Sequence, residues 1–352
     1  MSQIRDMKWL FMVFFMLLQA ACIRSKRTES NVKVLDDSVL LRTAAVFFKP
    51  VSDHSIYEKD PVGDVKVKLG YFLFYDRRLS KSGTMSCNGC HRLDRFGMDN
   101  KRSPDVGEGN PYGRNVPTVF NAALHNMFFW DGRATSLEEQ PGKMVLNPDE
   151  IAIPHLGFIV NRLRADTMYQ RMFRSAFPAD DIPVSYGNAK RAIAAFERTL
   201  LSPSRFDMYM DGDLQALDSE EKAGLLEFIN TGCAGCHGGV ALGGTTIQRF
   251  GIYTDYRTLA FSRVDDEGRM RLSGDSADRD RFKVPGLRNV QETYPYFHNG
   301  SVASLDSSVK VMAKAELNRV LTNAQITSIV LFLNALTGDI REEAKLDPFG
   351  SY

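Results

Sequence analysis

The chain has 352 residues, of which 43% are hydrophobic and 25% charged, with a net charge of +1. That length accommodates two domains of ordinary size, and the composition is that of a globular protein. A charge this near balance gives no basis for binding nucleic acid or any highly charged partner.

The first residues, MSQIRDMKWLFMVFFMLLQAAC, place Arg5 and Lys8 before an apolar run from Trp9 to Leu18, followed by Gln19, Ala20 and Ala21. This reads as a secretory signal over 1–21, too short for a comfortable membrane span. Cys22, behind two small residues, resembles the cysteine at which bacterial lipoproteins are cleaved and lipidated, although Gln19 stands where Leu is usual. Ordinary cleavage after Ala21, leaving a spare thiol, is the alternative. Residues 22–40 read as a polar tether. On either reading the protein is exported, to the periplasm or to a lipid-anchored place in the cell envelope.

Further along, DVKVKLGYFLFYD (64–76) reads as a helix and precedes CNGCH at 87–91. NAKRAIAAFERTLL (188–201) has apolar residues at helical spacing. DSEEKAGLLEFINTG (218–232) opens on Asp218 and Glu221, an N-cap and capping-box pair, and runs straight into CAGCH at 233–237. TNAQITSIVLFLNALTG (322–338) is amphipathic, starting at a Thr cap and stopping at Gly338. Convincing strand runs are scarce, so the expected fold is mainly α.

Two thiols one turn apart followed by an imidazole suit few chemistries. A zinc ribbon needs two such pairs within about 15–20 residues, whereas Cys90 and Cys233 are 143 apart. A thioredoxin-like dithiol needs no following His. Covalent c-type haem needs all three: both sulfurs add to haem vinyl groups, and the His becomes the proximal iron ligand. Two such motifs use four of the five cysteines. They predict two haems attached at Cys87, Cys90, Cys233 and Cys236, with His91 and His237 on the irons. Zinc knuckles or redox dithiols are the competing reading.

A second similarity follows each motif. VPTVFNAALHNMFFWDGRATSL at 116–137 aligns without gaps with VPGLRNVQETYPYFHNGSVASL at 284–305, at a constant offset of 168. Pro117 meets Pro285, Asn121 meets Asn289, Phe129 meets Phe297, Gly132 meets Gly300, and Trp130 stands opposite His298. The expected architecture is therefore two cytochrome c-like haem domains related by internal duplication, 41–202 and 203–345.

The strings LFYDRRLS, SCNGCH, GRNVPTVFNA, FFWDGRATSLEEQ, GCAGCHGGVALGG, VPGLRNV, PYFHNG and LNALTGD resemble those of the bacterial dihaem cytochrome c peroxidases, from about Val46 to about Gly338. The resemblance implies that the N-terminal haem reduces hydrogen peroxide. The C-terminal haem would take electrons from a small cytochrome c or cupredoxin. A homodimer is a further expectation. Met312, in VKVMAKAELNR, matches the segment that supplies the second haem's thioether ligand, where a related cofactor-maturing enzyme has Tyr. Glu150, in LNPDEI, matches the catalytic acid/base. Trp130 matches the residue that conducts electrons between the haems. Asn115, with the backbone oxygens of Thr293 and Pro295, matches a calcium site between the domains, and oxygen ligands suit that hard cation. His298 is read as structural or electron-transfer support, and His54, His125 and His155 as structural hydrogen bonders. Many relatives carry a gating His in a VGHG loop; here DVGEGNP places Glu108 there, which implies a missing gate. Two other functions compete. One is a dihaem oxidase or maturase that turns high-valent iron on another substrate. The other is a non-catalytic dihaem electron carrier.

Overall fold

The computed structural model describes residues 36–51, 63–101, 113–146, 153–260 and 265–350. The signal segment, Cys22, His54, Glu108 and Glu150 lie outside the described residues. Among those described, the longer helices are α1 (Asp37–Phe47), α2 (Gly63–Tyr75), α3 (Leu156–Arg164), α4 (Thr167–Ala176), α5 (Tyr186–Glu197), α6 (Ser219–Thr231), α7 (Leu305–Leu317) and α8 (Asn323–Asn334). One short antiparallel pair, β1 (Ile247–Arg249) and β2 (Arg281–Lys283), sets Ile247 opposite Lys283 and Gln248 opposite Phe282.

The expected caps form. The Asp218 carboxylate accepts from the Glu220 and Glu221 amides at 2.9 and 2.8 Å, and Glu221 returns a bond to the Asp218 amide at 3.0 Å. Each bond satisfies a donor that the first helical turn leaves orphaned. Gly232, at φ 104°, ends α6 in the left-handed region and turns the chain directly into Cys233. Two boundaries move. α1 begins inside the stretch expected as tether, because Asp36 caps it and Leu40 is buried. α8 stops at Asn334 rather than Gly338, whose amide instead donates to the Asn289 side chain at 3.0 Å.

α2 packs on α5 and α6 packs on α8 in the same way. A glycine lies at each contact: Gly70 against Ala192 and Phe196, and Gly224 against Ser328 and Phe332. The backbone after each C-x-x-C-H turns alike, with Phe96 at φ 52° and Gly97 at 73°, and Leu242 at 50° and Gly243 at 131°. Asn121 and Asn289 sit at φ 60° and 61°, Phe129 and Phe297 at 63° and 71°. The bridge Phe128–Ala134 recurs as Tyr296–Val302. Asn121 and Asn289 both donate to the hydroxyl of Ser202, at 2.7 and 2.8 Å, so the matching turns meet at one buried side chain.

The cores are crossed by the chain's ends. Leu40, Ala44 and Phe48 pack with Phe206, Leu225, Phe228 and Phe332 in the second-half core. Ile340, Ala344 and Phe349 pack back on Phe74, Tyr75 and Phe196 of the first half, and the Tyr75 hydroxyl donates to the Ala344 carbonyl at 2.8 Å. A separate cluster, with Leu69, Leu73, Ile159, Tyr169 and Phe173, holds α2, α3, α4 and α5 together.

Candidate haem sites

The turn that ends α6 presents Cys233, Cys236 and His237 to a cavity of about 240 Å³. Met312, on α7, lines the same cavity, as do the apolar side chains of Phe250, Leu287, Val290, Ile329 and Leu333. His237 is buried, and burial lowers its pKa to about 4, so the ring is neutral. Its Nδ1 lies 3.3 Å from the Leu242 carbonyl. A carbonyl can only accept, so Nδ1 carries the hydrogen and Nε2 keeps its lone pair. That leaves one nitrogen donor and one thioether on the walls of a single apolar space.

The first motif repeats this arrangement. Cys87–Cys90 forms one helical turn, and His91 follows it. His91 Nδ1 stands 3.0 Å from the Pro117 carbonyl, and burial again lowers the ring's pKa to about 4. Pro117 is the residue that aligns with Pro285, a backbone partner of His237. Cys87 borders a small apolar space of about 20 Å³ with Leu79, Met85, Met144, Tyr186 and Ala189.

None of the four cysteines is in a disulfide. Burial pushes the thiols of Cys87 and Cys233 up to about 12, the reverse of the electropositive setting that makes a dithiol reactive. Among the described residues no three His, Cys, Asp or Glu side chains gather as a metal site. Neither observation favours the dithiol or the zinc reading.

Between the motifs lies Trp130. Its Nε1 donates to the Asn115 carbonyl at 2.8 Å, and its own carbonyl accepts from the Lys283 amide at 2.7 Å. Its ring is 6.3 Å from that of His298, which stacks on Phe282 at 4.0 Å. Asn115 is buried; its Nδ2 donates to the Pro295 carbonyl at 2.5 Å, and its Oδ1 is buried without a partner among the described residues. Asn115, Thr293 and Pro295 all line the large cavity.

Comparison with known proteins gives the family. The Di-haem cytochrome c peroxidase family profile matches residues 64–215. The chain is 41% identical over 275 residues to cytochrome c551 peroxidase of Nitrosomonas europaea, covering 77% of this chain and 80% of that one. Cytochrome c551 peroxidase of Pseudomonas aeruginosa is 39% identical over 301 residues, 84% of this chain and 85% of its own. The chain belongs to the di-haem cytochrome c peroxidase family. A crystal structure of a MauG-like protein associated with microbial copper homeostasis superposes with a TM-score of 0.72 at 29% identity, covering 86% of this chain and 97% of that one.

The donor set suits the two haems of this family. Each motif pairs two thiols with a neutral imidazole whose Nδ1 faces a backbone carbonyl, and the second adds a thioether across an apolar cavity. The Asn115 Oδ1, buried and unpartnered among the described residues, is an oxygen donor of the type a hard cation takes, while its Nδ2 donates to the Pro295 carbonyl. Among the described residues no helix is long and apolar enough to cross a membrane. One expectation is corrected. His125 is no structural hydrogen bonder: its ring makes no hydrogen bond among the described residues and lines the cavity against Gly244 and Gly286. Sequence reading also missed Lys283, buried on β2, and Glu197, buried at the end of α5. Neither stands in a motif; only the fold shows that each is removed from water.

Proposed function

We propose that the chain is an exported di-haem peroxidase that reduces hydrogen peroxide to water. The observation that carries this reading is the meeting of His237, Met312, Cys233 and Cys236 around one apolar cavity, with a second, differently walled C-x-x-C-H at Cys87, Cys90 and His91. Two haem-bearing halves arose by duplication, divided near residue 202, and both haems are held covalently by their thiols. The matched turns at Asn121 and Asn289 and the matched glycine contacts support that origin. Signal cleavage near Cys22, with lipid attachment there, would deliver the chain to the periplasmic side, where c-type haem is attached.

One peroxide takes up two electrons and two protons and leaves as two waters. When bound, the haems supply the redox centres for that electron transfer. His91 and His237 orient their Nε2 lone pairs because backbone carbonyls hold Nδ1. Met312 sulfur, a soft donor, favours ferrous iron and suits the second site to receive electrons from a small cytochrome or cupredoxin. A Met rather than a Tyr there favours peroxide reduction over cofactor maturation. Trp130 would conduct between the halves, a role carried by its match to the family; its hydrogen bonds to Asn115 and Lys283 support a fixed position for it. Glu150 is the general acid/base that moves a proton between the two peroxide oxygens, a role carried by its match to the family. A calcium ion at Asn115, Thr293 and Pro295 would pin the junction.

The test is steady-state peroxide turnover with a reduced small cytochrome, run beside haem quantification on the wild type and Glu150→Gln. Two haems and rapid turnover are expected, with a loss of about 10²–10⁴-fold in the variant. A fully loaded protein that leaves peroxide untouched would make it an electron carrier.

A further inference from the structure

Lys283 is 5% exposed and lines the large cavity. β2 places it there. Its amide is spent on the Trp130 carbonyl, and its neighbour Phe282, which also lines the cavity, stacks on His298. No acceptor among the described residues meets its ammonium: burial alone shifts its pKa, down to about 8, and no carboxylate pulls it back up. Glu316, the carboxylate among the described cavity walls, is engaged elsewhere, accepting from the Gly251 amide at 2.6 Å.

His125 is the second group of the same kind. It is half-buried on the same cavity wall, its ring makes no hydrogen bond among the described residues, and the charge of Lys283 is felt at its position. Gly244 and Gly286 hold the ring tightly, since a Cβ on either would stand 2.2 and 2.7 Å from it. Two nitrogen donors therefore border one apolar space without an anion. An ammonium left alone in such a place costs several kcal/mol, and so would a carboxylate carried into the cavity by a ligand. Each deficiency is relieved by the other.

We propose that Lys283 and His125 form the receptor for the carboxylate side chains of the second haem, and that the Lys283 charge raises that haem's reduction potential. This rests on the di-haem reading above. The apolar walls would take the porphyrin, and its carboxylates need charged or donating partners; Lys283 and His125 are withdrawn from bulk water on that wall, whereas Arg249, which also lines the cavity, is exposed. A fixed positive charge beside the site favours the electron-rich ferrous state. The Lys283 amide donates to the Trp130 carbonyl, so the two residues share a backbone contact on the cavity wall.

The experiment is potentiometric titration of both haems in the wild type, Lys283→Met, Lys283→Arg and His125→Gln, with haem counted in each preparation. All should hold two haems. Lys283→Met should shift the second haem's reduction equilibrium toward ferric by about tenfold, which is 59 mV for a one-electron couple. Lys283→Arg, which keeps the charge, should stay near the wild type, and His125→Gln should shift less than Lys283→Met. The first haem should move less than the second. A second-haem potential unchanged in a fully loaded Lys283→Met would overturn the proposal. Should the variants fail to mature, a crystal structure of the wild-type holoprotein decides: Lys283 Nζ within hydrogen-bonding distance of a haem carboxylate supports it, and separation by more than about 4 Å ends it. A wild type carrying fewer than two haems would instead defeat the di-haem reading itself.

Discussion

Gly70 lies so close to Ala192 that a Cβ built on it would stand 1.9 Å from the Ala192 carbonyl oxygen. Gly224 stands in the same relation to Ser328, also at 1.9 Å. In both halves the helix before C-x-x-C-H touches the closing helix backbone to backbone, and only a residue without a side chain fits. Gly→Ala in a helix would ordinarily gain about 1 kcal/mol from propensity. Here overpacking, typically 1–3 kcal/mol and more where backbone is struck, outweighs it. Gly70→Ala and Gly224→Ala should each lower the thermal midpoint of the holoprotein by several degrees. A raised midpoint would mean that the helices part freely.

Haem attachment should be separable by half. Replacing Cys87 and Cys90 by Ser should leave a chain whose mass carries one haem, with the second site's absorption intact. The reciprocal Cys233 and Cys236 variant should retain the other. Two haems in either variant would show that the motif named is not an attachment point.

Met312 shares its cavity with His237, so Met312→His exchanges a soft sulfur for a nitrogen donor at the same wall. The second haem should stay low-spin while its potential falls, and delivery of electrons from a high-potential donor should slow. An unchanged potential would assign the ligand to another side chain.

Glu197, 5% exposed, follows the Phe196 that packs on Gly70, where in the second half Leu333 follows the Phe332 that packs on Gly224. Burial pushes its carboxyl up to about 8, above the unfolded value of about 4.3. Across that window the folded state keeps a proton that the unfolded chain releases, so stability falls as pH rises. The slope is at most about 1.4 kcal/mol per pH unit. Glu197→Gln should flatten the fall in thermal midpoint between pH 5 and pH 8. An unaltered profile would place the pH dependence in other groups.

The haem motifs, the capping box of Asp218 and Glu221 and the offset of 168 between Pro117 and Pro285 were legible from sequence alone. Each is written in residues a few positions apart or in a self-alignment, and the chemistry of C-x-x-C-H depends on one local turn. The membership of Met312 in the His237 cavity was legible through family likeness, and the cavity then gave it a physical setting. The end of α8 was misread because Gly338 looks like a helix stop, whereas its amide is captured by Asn289 from 49 residues away. Lys283, His125 and Glu197 carry no local signal at all. Whether a lysine is a solvated surface charge or an unpaired buried cation depends on what packs over it, and those neighbours come from distant parts of the chain. The sequence by itself determined where the two C-x-x-C-H motifs fall and which atoms they offer as ligands; only the tertiary structure decided which charges were shut away from water, because burial is a property of the assembled walls and not of any segment.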